Sequence, residues 1–335
     1  MAGTMNWGVL STAGIGVRKV IPAMRKTPLG NVLAIASRNA ERAEAVAGQL
    51  GIERAYGTYE ALLADPDIEA VYNSLPIHLH VEWSVRAMEA GKHVLCEKPI
   101  ALGAGDVARL VEARQRTGRQ VLEAVMVRQH PQWLRAREIV RSGELGPLVL
   151  IQTTMGFFND DPNNIRNRAE VGGGALYDIG CYAIFLARFM FEAEPVRVVS
   201  LIDRDPVLGT DRLTGGLVDF GGGRQLSFAC STQLSRYQNI IMFGRSGRLE
   251  VPVSLNAPQD GTTEILIDPG GDNEPADLRR ETFGPCDQYT LQAEYAARVF
   301  RGEIAGEFPI EDAAASMRVV DALYRSAETG AWQAV

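Results

Sequence analysis

The chain is poor in the residues that build metal centres and disulfide frameworks. It has four cysteines, Cys96, Cys181, Cys230 and Cys286, and four histidines, His78, His80, His93 and His130. No C-x-x-C pair occurs and the histidines form no ligand set with the cysteines, so neither a structural metal nor a disulfide framework is expected. Scattered reduced thiols fit a cytoplasmic protein. Long hydrophobic runs are missing as well: no apolar stretch approaches the ~18 residues a membrane span needs. The N-terminal MAGTMNWGVL has no basic flank and no long apolar core, so no signal peptide is read there. Basic tracts are lacking too, and the net charge is −7. Neither nucleic acid nor an anionic membrane is therefore expected as a main partner.

What is present is an ordinary globular composition over 335 residues, longer than one compact core usually runs. From residue 5 to about 127 the runs NWGVL, NVLAIAS, IEAVYNSL, HVLCE and QVLEAVMV alternate with helical patterns. Near-continuous apolar runs suit strands buried on both faces, and the alternation predicts a parallel sheet with helices on both sides. Asn39 and Thr58 are placed to cap helices, and Gly91 and Gly118 to end them. The first helix carries Pro22, so one turn after Gly14 and a second piece near Pro22 are expected. After about 128 a helix (PQWLRAREIVRSGELG) gives way to strand-like runs. GGGR (221–224) and RSGR (245–248) read as hairpin tips among them. One helix is embedded around 174–191 and two close the chain. The division expected is an α/β dinucleotide-type domain at 1–127 and an α+β domain with a large, mostly antiparallel sheet at 128–335.

Glycine is short where it would be most diagnostic. Ser11-Thr12-Ala13-Gly14-Ile15-Gly16 follows the first strand, where a G-x-G-x-x-G cradle would sit, yet only the third glycine is in place. Small side chains still allow a backbone to approach a pyrophosphate at a helix N-terminus. Taken alone, the loop reads equally well as a tight strand–helix turn. The second strand ends in Ser37-Arg38 instead of the acid that binds an NAD ribose. A hydroxyl and a guanidinium suit a 2′-phosphate, so NADP is expected, with NAD possible. Glu97-Lys98-Pro99 closes another buried strand, at the sheet end where α/β folds bind ligands, and an X-Pro bond can be cis there. In VGGGALYDIGCY (171–182), Asp178 and Tyr182 are spaced to share a helical face. Tyrosine, with its pKa near ~10, becomes a usable base when an ammonium favours the phenolate. A shift of two units corresponds to roughly 2.7 kcal/mol. Without Lys98, Tyr182 would read as a core aromatic and Asp178 as a surface charge.

The pieces WGVLSTAGIG, AIASRNAERA, EKPIAL, VRSGELGPL, NIRNRAEVGGGALYDIGCY and FPIEDAAASMRVVDALYRSAETG together resemble the glucose–fructose oxidoreductase / inositol dehydrogenase (Gfo/Idh/MocA) family over nearly the whole chain. Ser11, and tyrosine instead of histidine at 182, point to its dihydrodiol dehydrogenase / D-xylose 1-dehydrogenase branch. The resemblance implies catalysis by Lys98, Tyr182 and Asp178. It implies cofactor contact by Ser11, Thr12, Ala13, Gly14, Ile15, Ser37, Arg38, Ser74, Leu75, His80, Glu97, Lys98 and Arg166. It also implies a homodimer or homotetramer formed through the C-terminal sheet. The expected activity is hydride transfer between NADP and a sugar carbinol, with C1 of an aldose such as D-xylose first. A trans-dihydrodiol dehydrogenase, a nucleotide-sugar ketoreductase and a non-catalytic NADP sensor are the rivals. The lining around Phe157 and Phe158, apolar for a diol, is one discriminator.

Overall fold

The computed structural model describes residues 4–270 and 278–335. The chain divides into two compact units, Met1–Met126 with Asp287–Ala314, and Val127–Cys286 with Ala315–Val335.

In the first unit the strands β1 (Met5–Leu10), β2 (Gly30–Ala36), β3 (Arg54–Tyr56), β4 (Ala70–Asn73), β5 (His93–Glu97) and β6 (Val121–Ala124) make a sheet of order β3-β2-β1-β4-β5-β6. All its pairs are parallel. The order reverses between β1 and β4, and that crevice is where doubly wound sheets bind dinucleotides. Between the strands lie α1 (Ile21–Met24), α2 (Ala40–Leu50), α3 (Tyr59–Leu63), α4 (His80–Glu89) and α5 (Ala104–Thr117). Asn39 and Thr58 cap α2 and α3 by accepting from Arg42 N and Ala61 N. Gly118 ends α5 with φ +68°. The helix after β1 is split as its proline demands: a wide π-type turn over Gly16–Val20, then α1 with Pro22 in its first turn. β3 has no counterpart among the apolar runs, because its three residues are only half-buried and carry no hydrophobic run to notice.

In the second unit, α6 (Pro131–Ser142) ends at Gly143, and β7 (Leu148–Phe158) follows. A wide turn over Leu176–Gly180 leads into α7 (Cys181–Phe191). The remaining strands are β8 (Arg197–Arg204), β9 (Asp211–Asp219), β10 (Gln225–Ser231), β11 (Gln233–Gly244), β12 (Arg248–Val251), β13 (Thr263–Asp268) and β14 (Arg279–Phe283). Among the described residues the sheet runs β14-β13-β12-β11-β7-β10-β9-β8-β15, where β15 is Gln333–Ala334. β7 and β10 pair in parallel, and the other neighbours are antiparallel. One sheet face is covered and one is open, as alternation along β7 shows: Ile151, Thr153 and Met155 are buried and Gln152 is exposed. Every residue of α7 is buried. Contrary to the sequence reading, one segment, Ala169–Phe191, is long and apolar enough to cross a membrane. Yet 89% of its apolar window is buried inside the protein, as in a core helix.

The chain then returns to the first unit through α8 (Gln288–Phe300). Thr290 Oγ1 donates to Ala23 O at 2.9 Å, and Lys26 meets Asp287 at 2.8 Å. The long α9 (Ile310–Thr329) follows.

Candidate active site

At the switch point, the conformation of Ser11 explains its glycine-poor loop. Its φ is +86°, a left-handed value that glycine adopts without cost and other residues seldom take. Hydrogen bonds hold it there. Its hydroxyl donates to Ser74 O at 3.1 Å, lies 3.2 Å from Ser74 Oγ, and accepts from Ala13 N. Ser74 Oγ in turn donates to Leu10 O at 3.1 Å, so the two serines tie the ends of β1 and β4 together. Ser11 thus keeps the backbone shape of the missing glycine. Ala13, Gly14 and Ile15 remain half-exposed, whereas Thr12 is buried. At the end of β2, Ser37 is buried and Arg38 is exposed beside Tyr59. Burial raises the Tyr59 phenol, and the Arg38 guanidinium opposes only part of that rise. The two residues that follow that strand, Ser37 and Arg38, carry no carboxylate. A small-residue loop at the switch point and a basic group at the adenosine end therefore fit a phosphorylated dinucleotide.

The Lys98-Pro99 peptide is cis, as the motif allowed, and Lys98 is half-buried. Its neighbour Glu97 faces inward: Oε1 accepts from the Tyr72 hydroxyl at 2.5 Å and Oε2 accepts from Lys98 N at 3.3 Å. Burial, then Glu97, push the Tyr72 phenol well up, so it stays a donor. His80 is 1% exposed, with Nε2 2.7 Å from Leu75 O and Nδ1 2.9 Å from Pro99 O. It lies behind the loops after β4 and β5, joining them, and Leu75 beside it is also buried. Two carbonyl partners favour an imidazolium, but burial wins and lowers the His80 pKa to about 4. His78 is exposed, and His130 caps α6 by accepting from Gln132 N.

In the second unit Arg166 Nε donates to Asp178 at 2.8 Å, which neutralises two of the expected site charges against each other. Asn167 pins the preceding loop through Asn159 and Asp161. Gly173 N and Gly174 N bond to the carbonyls of Arg168 and Arg166, folding this loop back on the glycines. Tyr182, 5% exposed, lies in the first turn of α7 with its ring edge-on to Phe185. The turn Leu176–Gly180 that carries Asp178 is wide, and π-type turns of this kind recur at functional sites. Along β7, Phe157 continues the covered parity of Met155, while Phe158 is 67% exposed on the open face. Of the two phenylalanines only Phe157 shares the face over which α7 packs. Sequence reasoning missed Tyr72, the partner of Glu97, and Asp211, which accepts at 2.7 Å from Leu176 N at the start of that wide turn. The first had a faint signal, since a tyrosine inside a buried strand needs a partner for its hydroxyl. The second, an acid opening a strand, had none.

Two family models match the chain, an oxidoreductase family with an NAD-binding Rossmann fold over residues 5–125 and a GFO/IDH/MocA C-terminal domain over 133–250. An uncharacterised oxidoreductase of Rhizobium meliloti is 46% identical over 99% of both chains. D-xylose 1-dehydrogenase (NADP(+)) 2 of Haloferax volcanii is 37% identical over 98% of both. The crystal structure of a 3-ketoreductase from Actinomadura kijaniata, in complex with NADP and TDP-benzene, superposes with a TM-score of 0.90 at 28% identity. It covers 96% of this chain and 98% of that one. With a doubly wound 3-2-1-4-5-6 sheet, an intact small-residue loop at its switch point and both family domains matched, the chain belongs to the GFO/IDH/MocA family of oxidoreductases.

Proposed function

We propose that this oxidoreductase is an NADP-dependent aldose 1-dehydrogenase of the cytoplasm, oxidising a pyranose such as D-xylose at C1 to its lactone. The observation that carries the reading is the end of β2, where Ser37-Arg38 takes the place of an acid. It is supported by 37% identity to an NADP-dependent D-xylose 1-dehydrogenase along nearly its full length. NADP, when bound, supplies the acceptor for the hydride that leaves the sugar carbon with its electron pair. Ser11–Gly16 would hold the pyrophosphate, and Ser37 with Arg38 the 2′-phosphate. Tyr182 takes the hydroxyl proton as the carbon–oxygen double bond forms, and passes it to solvent. Lys98 favours the phenolate and offsets the charge developing on the substrate oxygen. The Arg166–Asp178 pair orients the sugar.

Lys98→Met should lower kcat about a thousandfold, within the usual range for a lost acid–base partner, and leave the NADP dissociation constant near its parent value. Absorbance at 340 nm and a fluorescence titration measure the two. Activity surviving at more than a few per cent would show that the lysine has another role. A nucleotide-sugar 3-ketoreductase is the second reading, favoured by the closeness of the whole fold to a 3-ketoreductase bound to NADP and TDP-benzene and by 37% identity to a dTDP-keto-sugar 3-reductase. Assays with D-xylose and with a dTDP-keto-sugar separate the two. The open sheet face, with Leu201 81% exposed and Leu213, Leu217 and Tyr237 also exposed, would join copies into a homodimer or homotetramer. Light scattering of Leu201→Glu should show a lower mass than the parent.

A further inference from the structure

The glycines of GGGALYDIG leave room for the protein's own atoms, and the largest intrusion comes from a residue 33 positions beyond Asp178 in the chain, Asp211. Asp211 opens β9 and is 1% exposed. Its Oδ2 accepts from Leu176 N at 2.7 Å, the first residue of the wide turn that carries Asp178 and leads into the helix of Tyr182. The same oxygen accepts from Thr214 Oγ1 at 3.2 Å, and Oδ1 accepts from the Tyr324 hydroxyl at 3.0 Å. A methyl group added at Gly174 would stand 1.9 Å from Oδ1, and Gly174 has φ +131°. The carboxylate therefore fills the side-chain position that Gly174 gives up. Burial raises the Asp211 pKa, and the three donors oppose that shift.

We infer that Asp211, held by Tyr324, is a positioning residue that sets the start of the helix bearing Asp178 and Tyr182. A carboxylate at a helix start satisfies an orphan N–H and complements the helix dipole. Here it comes from a distant strand instead of the preceding residue, so the helix start is registered to the sheet as well as to its own loop. The inference rests on the catalytic reading of Tyr182 given above.

The experiment compares Asp211→Ala, Asp211→Asn, Tyr324→Phe and Tyr182→Phe for thermal melting, NADP dissociation constant, kcat and KM. A misplacement of about 1 Å costs up to ~100-fold in rate. Folded Asp211→Ala should thus lose roughly 10- to 100-fold in kcat, with NADP affinity unchanged. Asp211→Asn keeps an acceptor for Leu176 N while Tyr324 turns to accept, and should recover much of the loss. A folded Asp211→Ala with parental kcat overturns the inference. Should Asp211→Ala not fold, Tyr324→Phe decides: a several-fold fall in kcat supports positioning, and parental kcat makes the carboxylate a folding determinant alone. If Tyr182→Phe keeps parental kcat, the catalytic reading itself fails, an outcome distinct from the others.

Discussion

Each unit carries a loop of small residues that leads into a wide helical turn: Ser11–Gly16 before Gly16–Val20, and Gly172–Gly174 before Leu176–Gly180. In the second loop, protein atoms fill the space where side chains would go. A methyl at Gly173 would meet the carbonyls of Arg166 and Arg168 at 2.6 and 2.7 Å, and one at Gly174 would meet Asp211. In the first loop, Gly14 has only the tip of the Arg18 side chain within that range, and Ser11 bears a side chain in a left-handed conformation. A glycine hemmed in by backbone serves the fold. One whose nearest neighbour is the tip of a flexible side chain can give up its space, as the cradle role proposed for the first loop requires. Two similar strings of small residues therefore have different causes.

Substitutions test that contrast, beginning with the largest effect. Gly173→Ala pushes a methyl into rigid carbonyls and should cost about 3 kcal/mol, as overpacking does. A fall in melting temperature of roughly 4 °C follows for 335 residues at ~2.1 cal/mol/K of unfolding entropy each, and calorimetry would check it. A variant melting like its parent would remove the packing account of the second loop. Gly14→Ala has only Arg18 to displace, so its stability should stay within about 1 kcal/mol of the parent. Its NADP dissociation constant should nevertheless rise about tenfold, or ~1.4 kcal/mol. Unchanged affinity in a fluorescence titration would mean that the first loop faces no ligand.

The histidines extend the contrast to pH. Burial lowers His80, His93 and His130 from the ordinary 6.5 to about 4, and two of the three are in the first unit. Between those values the unfolded chain binds more protons than the folded one. The stability that neutral histidines contribute is thus present above pH 6.5 and lost as the pH falls toward 4. His80→Gln should flatten the drop in urea midpoint between pH 7.5 and pH 5. An equally steep drop would assign the acid sensitivity to other groups. The smallest effect is expected from Ser11→Gly. It relieves about 1 kcal/mol of left-handed strain and gives up the hydrogen bonds to Ser74, so urea melts should differ from the parent by less than ~1 kcal/mol. A large loss would show that the serine pair, and not the backbone shape, holds the switch point.

Much of this was legible in sequence because it is local. Strands buried on both faces are continuous apolar runs, caps are written as Asn39 and Thr58, and Pro22 announces a split helix. Lys98 at a strand end, and Ser37-Arg38 without an acid, needed only the position of each run. The short edge strand β3 was not legible, because half-buried edge residues carry no hydrophobic signal. The return of α8 to the first unit was not legible either, since an amphipathic helix records that it has a partner and not which one.

By itself the sequence determined most of the element types and the family, and it nominated the residues proposed for the chemistry, since each rests on periodicity or on a contiguous motif. The tertiary structure decided which small residues answer to rigid protein atoms and which to a flexible side chain, and that His80 sits behind its loops. It also decided that Asp211 and Tyr324 stand under the helix of Tyr182. Those are contacts between residues far apart in the chain, created by the register of strands and the packing of helices, and no local pattern encodes them.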